Sequence, residues 1–106
     1  MITVSIYRKN NQIKSFEISG HAESGPYGYD LVCAAVSAVS FGTVNAITAL
    51  CQIDLDIEQG ENGYLYVGLP YDIVPDIREK AVLLIEGMLI SLQSIEREYS
   101  QFIKIE

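Results

Sequence analysis

Residues 30–51 read DLVCAAVSAVSFGTVNAITALC, a stretch rich in Ala, Val and Ser that contains no proline. One helical turn per 3.6 residues aligns a single stripe of side chains along it. The stripe contains Cys33, Ser37, Ser40, Phe41, Val44, Ile47 and Cys51. Asp30 is a favourable N-cap residue just before the first apolar position. The stretch therefore predicts a helix over residues 31–50.

A hairpin is predicted on each side of this helix. Four segments alternate apolar and polar side chains or have strand-like composition, residues 2–7, 13–19, 53–59 and 64–69. Alternation with a period of two is typical of a half-buried strand. Asn10-Asn11 supplies a turn between the first two segments, and Asn62-Gly63 supplies one between the last two.

A second helix is predicted from the region after Pro75 to about residue 99, because Asp76 and Glu79 have capping-box spacing. Residues 102–106 alternate again and predict a short terminal strand. The order is ββαββα(β), an α+β, two-layer arrangement with a mainly antiparallel sheet and two helices packed on one face. A chain of 106 residues is expected to form one domain over residues 1–106.

Both helices contain features that require a packing partner. Gly42 and Gly87 lie near the helix middles, where glycine costs about 1 kcal/mol relative to alanine. We expect a close helix–helix or helix–sheet approach at each. The second helix is apolar on more than one side across residues 82–90, and a two-layer monomer covers only one side. This surplus predicts a second subunit.

The charge is strongly acidic and unevenly placed. Asp and Glu number 14 against 7 Lys and Arg, and no Lys or Arg occurs between Lys14 and Arg78. Such a surface repels phosphate backbones, which argues against nucleic acid as a direct ligand. It serves either solubility or the attraction of a cationic partner.

The sequence also bears on the compartment. The longest nearly apolar run, residues 81–90, is interrupted by Glu86 and is too short to cross a bilayer. The N-terminus lacks the pattern of a secretory signal. We therefore expect a cytoplasmic protein with no membrane partner.

His21 and Cys33 are the candidates for chemistry. His21 is the only histidine and lies in a glycine-rich loop, while Cys33 is at the third helical position if Asp30 is the N-cap. A helix N-terminus lowers the pKa of a thiol, and an imidazole can accept its proton. Free amides of the first turn could also hold an oxyanion. The alternative is a structural histidine and a small core cysteine.

Two polar neighbours of Cys33 have alternative roles. Asp30 either caps the helix or orients His21 as a third catalytic member. Ser37 either hydrogen-bonds the sulfur or bonds back to the carbonyl four residues earlier. A bridge between Cys33 and Cys51 is excluded in a continuous helix, because 18 residues span about 27 Å. One His and two Cys do not make a zinc site, so we expect neither metal nor cofactor.

The string GHAESGPYGYDLVCAAVS, residues 20–37, resembles the ribosomal-processing cysteine proteases of the Prp (YsxB-like) family. The resemblance continues over residues 41–47, 88–92 and 95–99. It implies that Cys33 is the nucleophile and His21 the general base of a small α+β homodimer. The implied activity removes the N-terminal extension of a large-subunit ribosomal protein in ribosome maturation, cutting after an aromatic residue and before a small one.

The loop between base and nucleophile predicts a substrate-ordered lid. Gly25 and Gly28 bracket Pro26-Tyr27, and Tyr27 and Tyr29 would offer apolar contacts to the peptide. An ordinary mobile loop is the alternative. Two other functions also fit the residues, a non-catalytic acidic module that binds a basic ribosomal protein and a redox sensor based on Cys33.

Overall fold

The structure, a computed structural model, describes residues 1–22 and 30–106. The elements within these residues are β1 (Ile2–Lys9), β2 (Gln12–Ser19), α1 (Leu31–Cys51), β3 (Asp56–Gly60), β4 (Tyr64–Gly68), α2 (Pro75–Glu98) and β5 (Ile103–Ile105). The strands form one sheet in the order β3-β4-β2-β1-β5. β5 is parallel to β1, and the other neighbouring strands are antiparallel. The predicted α+β arrangement is confirmed.

The β1–β2 hairpin has the turn that its sequence predicts. Lys9 pairs with Gln12, so the loop consists of Asn10 and Asn11, with φ angles of 53° and 66°. Positive φ at both positions matches the right-handed twist of the strands, and asparagine tolerates it. The register shifts beyond Tyr7, because Tyr7 pairs with Ser15 while Arg8 pairs with Ile13. Lys14 is the extra residue of this bulge.

The core lies between the sheet and the two helices, which contact each other and cover the same face. α1 contributes Val32, Val36, Val44 and Ile47, and α2 contributes Ala81, Ile85, Met88 and Leu92. The sheet contributes Ile2, Val4, Ile13, Phe16, Ile18, Leu65, Val67 and Ile103. Burying Ile13 together with Phe16 and Ile18 departs from strict alternation, and the bulge at Lys14 makes this possible.

The start of α2 corrects the capping-box prediction. The N-cap is Val74, which makes no side-chain cap hydrogen bond, and Pro75 is the first helical residue. Proline suits this position because its fixed φ is helical and its missing N–H has no intrahelical partner there. Asp76 lies in the first turn, where its charge is favourable to the helix dipole. β3 also begins later than predicted, at Asp56.

The expected close approach at the helix glycines is wrong within the described chain. A Cβ at Gly42 or at Gly87 would meet no atom within 4 Å. Both residues instead line a groove between α1 and α2 on the side away from the sheet. The cost of these glycines is therefore not offset by any contact described inside the monomer.

By length and composition α1 is the one described helix that could cross a membrane. The core helix of a soluble protein passes the same test. Its inward-facing side chains pack in the core described above, which is the behaviour of a core helix.

Candidate active site

The N-terminus of α1 holds Cys33 at the third helical position. Asp30 is the N-cap, and its Oδ1 accepts a hydrogen bond from the Cys33 N–H at 3.0 Å. The Asp30 carbonyl accepts from the Ala34 N–H, also at 3.0 Å. The predicted capping role is confirmed. Because the cap already occupies the Cys33 amide, that amide is not available as an oxyanion donor in this geometry.

Gly20 directs the chain from the end of β2 toward α1. Its φ of 91° is in the left-handed region, and a side chain there would collide with the Met1 carbonyl. Its N–H donates to the Asn62 carbonyl at 3.0 Å. The β3–β4 turn therefore anchors the residue that immediately precedes His21.

Gly63 in the same turn lies against His21. Its φ is 69°, and a Cβ there would collide with the Gly20 carbonyl and lie 3.4 Å from His21 Cε1. The His21 side chain is solvent-exposed. Because residue 63 has no side chain, the His21 imidazole has room to lie beside the turn.

The Ala22 amide joins this segment to the sulfur. Its N–H donates to Cys33 Sγ with a nitrogen–sulfur distance of 3.2 Å. Ala22 is buried and Cys33 is half-buried, so the contact is partly shielded from water. An amide donor stabilises a thiolate more than a thiol, because hydrogen bonds to charged acceptors are stronger. The sequence predicts that His21 and Cys33 lie close together, but it does not predict this contact. Its donor is a backbone amide, which nearly every residue type has.

Cys51 lies at the other end of α1. It is buried in the core. α1 is continuous from Leu31 to Cys51, so the two thiols lie near opposite ends of one helix, which is the condition under which helix geometry excludes a bridge between them. Among residues 1–22 and 30–106, no group of three or more His, Cys, Asp or Glu could hold a metal ion.

A cavity of about 250 Å³ opens beside the N-terminal half of α1. It is lined by Ile18, Val36, Ser37, Ser40, Phe41, Gln59, Gly60, Gly63, Tyr64 and Leu65. Ser37, one turn after Cys33, is exposed at this cavity. Ser40 is 1% exposed, and its hydroxyl has no hydrogen-bond partner among the residues that the structure describes. The sequence predicts that Ser40 lies on the same helix stripe as Cys33. Only the packing shows that the Ser40 hydroxyl is buried in this way.

Tyr64 is held from the other side of the sheet. Its hydroxyl donates to Glu17 Oε2 at 3.0 Å. Glu17 alternates with the inward-facing Phe16 and Ile18, so it lies on the face away from the helices. This hydrogen bond, followed by desolvation and the nearby acids, raises the pKa of Tyr64. The Tyr64 hydroxyl therefore forms its hydrogen bond with Glu17 on the outer face of the sheet, outside the cavity.

The lid prediction for Gly25, Tyr27, Gly28 and Tyr29 falls on residues 23–29, outside the described residues. Of the other predicted site residues, the structure brings the His21 segment, Cys33 and Asp30 together at the start of α1. It places Ser37 one turn further along the helix, at the cavity.

The chain is similar to known proteins over nearly its whole length. Residues 1–104 match the family described as Cysteine protease Prp. The ribosomal processing cysteine protease Prp of Bacillus subtilis (strain 168) is 45% identical over 107 residues, covering 99% of this chain and 96% of the relative. The protein of the same description from Staphylococcus aureus (strain Mu50) is 41% identical over 106 residues, covering 99% and 97%.

A solved structure of a protein from this family has the same fold. The S. aureus ribosomal processing protease Prp, crystallised with a covalently linked product peptide, superposes with a TM-score of 0.88 at 39% identity. The match covers 100% of this chain and 98% of that one.

Proposed function

This chain belongs to the family of Prp cysteine proteases, and we propose that Cys33 is its nucleophile and His21 its general base and acid. The observation that carries the assignment is the hydrogen bond from the Ala22 N–H to Cys33 Sγ. This contact places the residue after His21 directly on the sulfur. The first turn of α1 adds a positive partial charge that favours the thiolate.

The proposed reaction is peptide hydrolysis through a thioester. His21 accepts the Cys33 thiol proton, and the thiolate attacks the scissile carbonyl carbon. His21 then donates that proton to the leaving amine as the carbon–nitrogen bond breaks. Water hydrolyses the thioester, which releases the acid and restores the thiol.

The oxyanion needs a donor other than the Cys33 amide, which Asp30 occupies. The Ala22 N–H stands 3.2 Å from the sulfur that forms the new bond. We assign it to the reacting centre, first as a donor to the thiolate and then as a donor within reach of the oxyanion. Asp30 supports the site by holding the helix start, and Ser37 borders the path of the substrate.

The proposed substrate is a large-subunit ribosomal protein with an N-terminal extension, cut after an aromatic residue and before a small one. The relatives from B. subtilis and S. aureus carry the description of ribosomal processing proteases. The net charge of −7 suits capture of a basic protein in the cytoplasm.

We also propose that two copies of this chain form a homodimer through the face of the two helices that points away from the sheet. Leu83 and Ile90, seven residues apart on one face of α2, are 71% and 65% exposed. Gly42 and Gly87 line the groove between the helices, and a Cβ at either position would lie in open space. A second copy docking there would bury the aliphatic residues and use the close approach that the glycines permit.

Cleavage of a synthetic peptide tests the catalytic assignment. The peptide spans the extension and mature start of a large-subunit ribosomal protein, and mass spectrometry identifies the products. We expect Cys33→Ala and His21→Ala to lower kcat/KM by about a thousandfold or more, since each removes a reacting group. Cys51→Ala is the matched control, because it removes the buried thiol at the far end of α1. Equal loss in Cys51→Ala, or retained cleavage in Cys33→Ala, would contradict the assignment.

A further inference from the structure

We propose that the cavity beside α1 seats the side chain of the substrate residue whose carbonyl is attacked, with Ser40 as its polar floor. This inference rests on the proposed function, because it places one substrate residue relative to Cys33. It assigns to Ser40 the discrimination between aromatic rings with and without a hydroxyl group.

The position of the cavity relates it to the sulfur. Ser37, which borders the cavity, is one turn after Cys33, about 6 Å along the helix axis. In the substrate, the Cβ of the residue that carries the attacked carbonyl is two bonds from the carbonyl carbon. No other side chain in the peptide is attached so near. That side chain is therefore the one that covalent geometry brings to the cavity mouth.

The size and walls of the cavity favour a flat apolar ring. A cavity of about 150 Å³ with aliphatic and aromatic walls holds benzene. The volume here is about 250 Å³, and the apolar lining includes Ile18, Val36, Phe41 and Leu65. Phe41 is 39% exposed in the absence of substrate. A bound ring would cover it, which removes an exposed aromatic surface next to the site.

Ser40 gives the cavity its polar group. Its hydroxyl is buried and has no hydrogen-bond partner within residues 1–22 and 30–106, although a helical serine can ordinarily bond back to the preceding turn. Thr43 and Ser94 do so here, donating to the Val39 and Ile90 carbonyls. A buried hydroxyl without a partner is unfavourable unless a ligand or water forms a hydrogen bond with it. The hydroxyl of a tyrosine ring in the cavity could form this hydrogen bond with Ser40, whereas a phenylalanine ring could not.

The first test uses peptides that differ only at the residue before the scissile bond, Phe in one and Tyr in the other. Ser40→Ala should lower the ratio of kcat/KM for Tyr over Phe by about three- to tenfold, the range of one neutral hydrogen bond. Ser94→Ala, at an exposed helical serine of α2, is the matched control and should leave the ratio unchanged. An unchanged ratio in Ser40→Ala would overturn the assignment of Ser40.

The second test measures binding without chemistry. The Cys33→Ala protein is titrated with the Phe peptide and with a peptide carrying Ala at that position, followed by amide chemical shifts. We expect shifts at Ser37, Ser40 and Gly63 with the Phe peptide, and loss of most of them with the Ala peptide. Shifts that do not depend on the ring would overturn the pocket. Ring-dependent shifts with a wild-type protein that cleaves neither peptide would uphold the pocket while contradicting the proposed function.

Discussion

At the scale of single residues, the proposed site contains backbone hydrogen bonds as well as the two side chains proposed to react, Cys33 and His21. The Asp30 carboxylate accepts a hydrogen bond from the Cys33 N–H, and the Ala22 N–H donates one to Cys33 Sγ. Gly20 and Gly63 have positive φ and allow the β2 end and the β3–β4 turn to meet beside His21. Residues that carry no reactive group therefore form the immediate surroundings of His21 and Cys33.

Substitution of Gly63 tests this dependence. Gly63→Ala should lower the free energy of unfolding by about 1–2 kcal/mol, because alanine is strained at its φ of 69°. It should also lower kcat/KM, since the new Cβ collides with the Gly20 carbonyl beside His21. Asn11→Ala is the matched control, because its φ of 66° imposes comparable strain in the β1–β2 turn, outside the cavity and away from His21. Urea unfolding and peptide cleavage of both variants measure these effects. An equal change of kcat/KM in the two variants would refute the argument.

At the scale of secondary-structure elements, α2 and β5 close the sheet at the edge opposite β3. The Ile2 N–H donates to the Phe102 carbonyl at 2.8 Å, and the Glu106 N–H donates to the Val4 carbonyl at 2.8 Å. Glu96 Oε2 of α2 accepts from the Ile105 N–H at 2.8 Å. A helix carboxylate thus occupies a backbone donor of the terminal strand, which protects a strand edge from further pairing.

Removal of the Glu96 carboxylate should loosen this edge. We expect Glu96→Ala to lower the free energy of unfolding by about 1 kcal/mol, because the Ile105 amide loses its protein acceptor. Glu96→Gln retains a side-chain oxygen and should lose less than half as much. Denaturant unfolding gives the stability, and hydrogen exchange at the Ile105 amide reports the local change. Unaltered exchange in Glu96→Ala would show that this contact does not hold the strand.

At the scale of the whole molecule, the two sides of the helical layer differ. The side toward the sheet is a continuous core, while the other side leaves large aliphatic residues and two glycines open to solvent. One chain cannot cover both sides with a single sheet. The apolar excess on α2 that the sequence indicates is therefore exposed at the surface of the monomer.

Sedimentation tests whether a second copy covers that surface. Leu83→Asp places a charge at the proposed interface and should convert a dimer into a monomer at micromolar concentration, because an unpaired buried charge is strongly unfavourable. Val74→Asp also replaces an exposed apolar residue, at the N-cap of α2 and outside the groove, and should leave the dimer intact. A wild-type protein that sediments as a monomer would rule out the proposed dimer.

The sequence by itself determined the order of elements, the turn at Asn10-Asn11, the Asp30 cap and the pairing of His21 with Cys33 as candidates. Each depends on periodicity, on turn residues or on a short local motif, which act over a few neighbouring residues. The capping box at Asp76 was wrong because Pro75 starts α2 without a side-chain cap.

Only the tertiary structure decided which surfaces meet. The sheet order brings the β3–β4 turn beside His21, and packing leaves the Ser40 hydroxyl buried at the cavity without a hydrogen-bond partner in the described part of the chain. The packing also leaves open space where a Cβ at Gly42 or Gly87 would lie. These contacts join residues far apart in the chain. They depend on how helices and strands are placed against one another, and local residue patterns do not encode that placement.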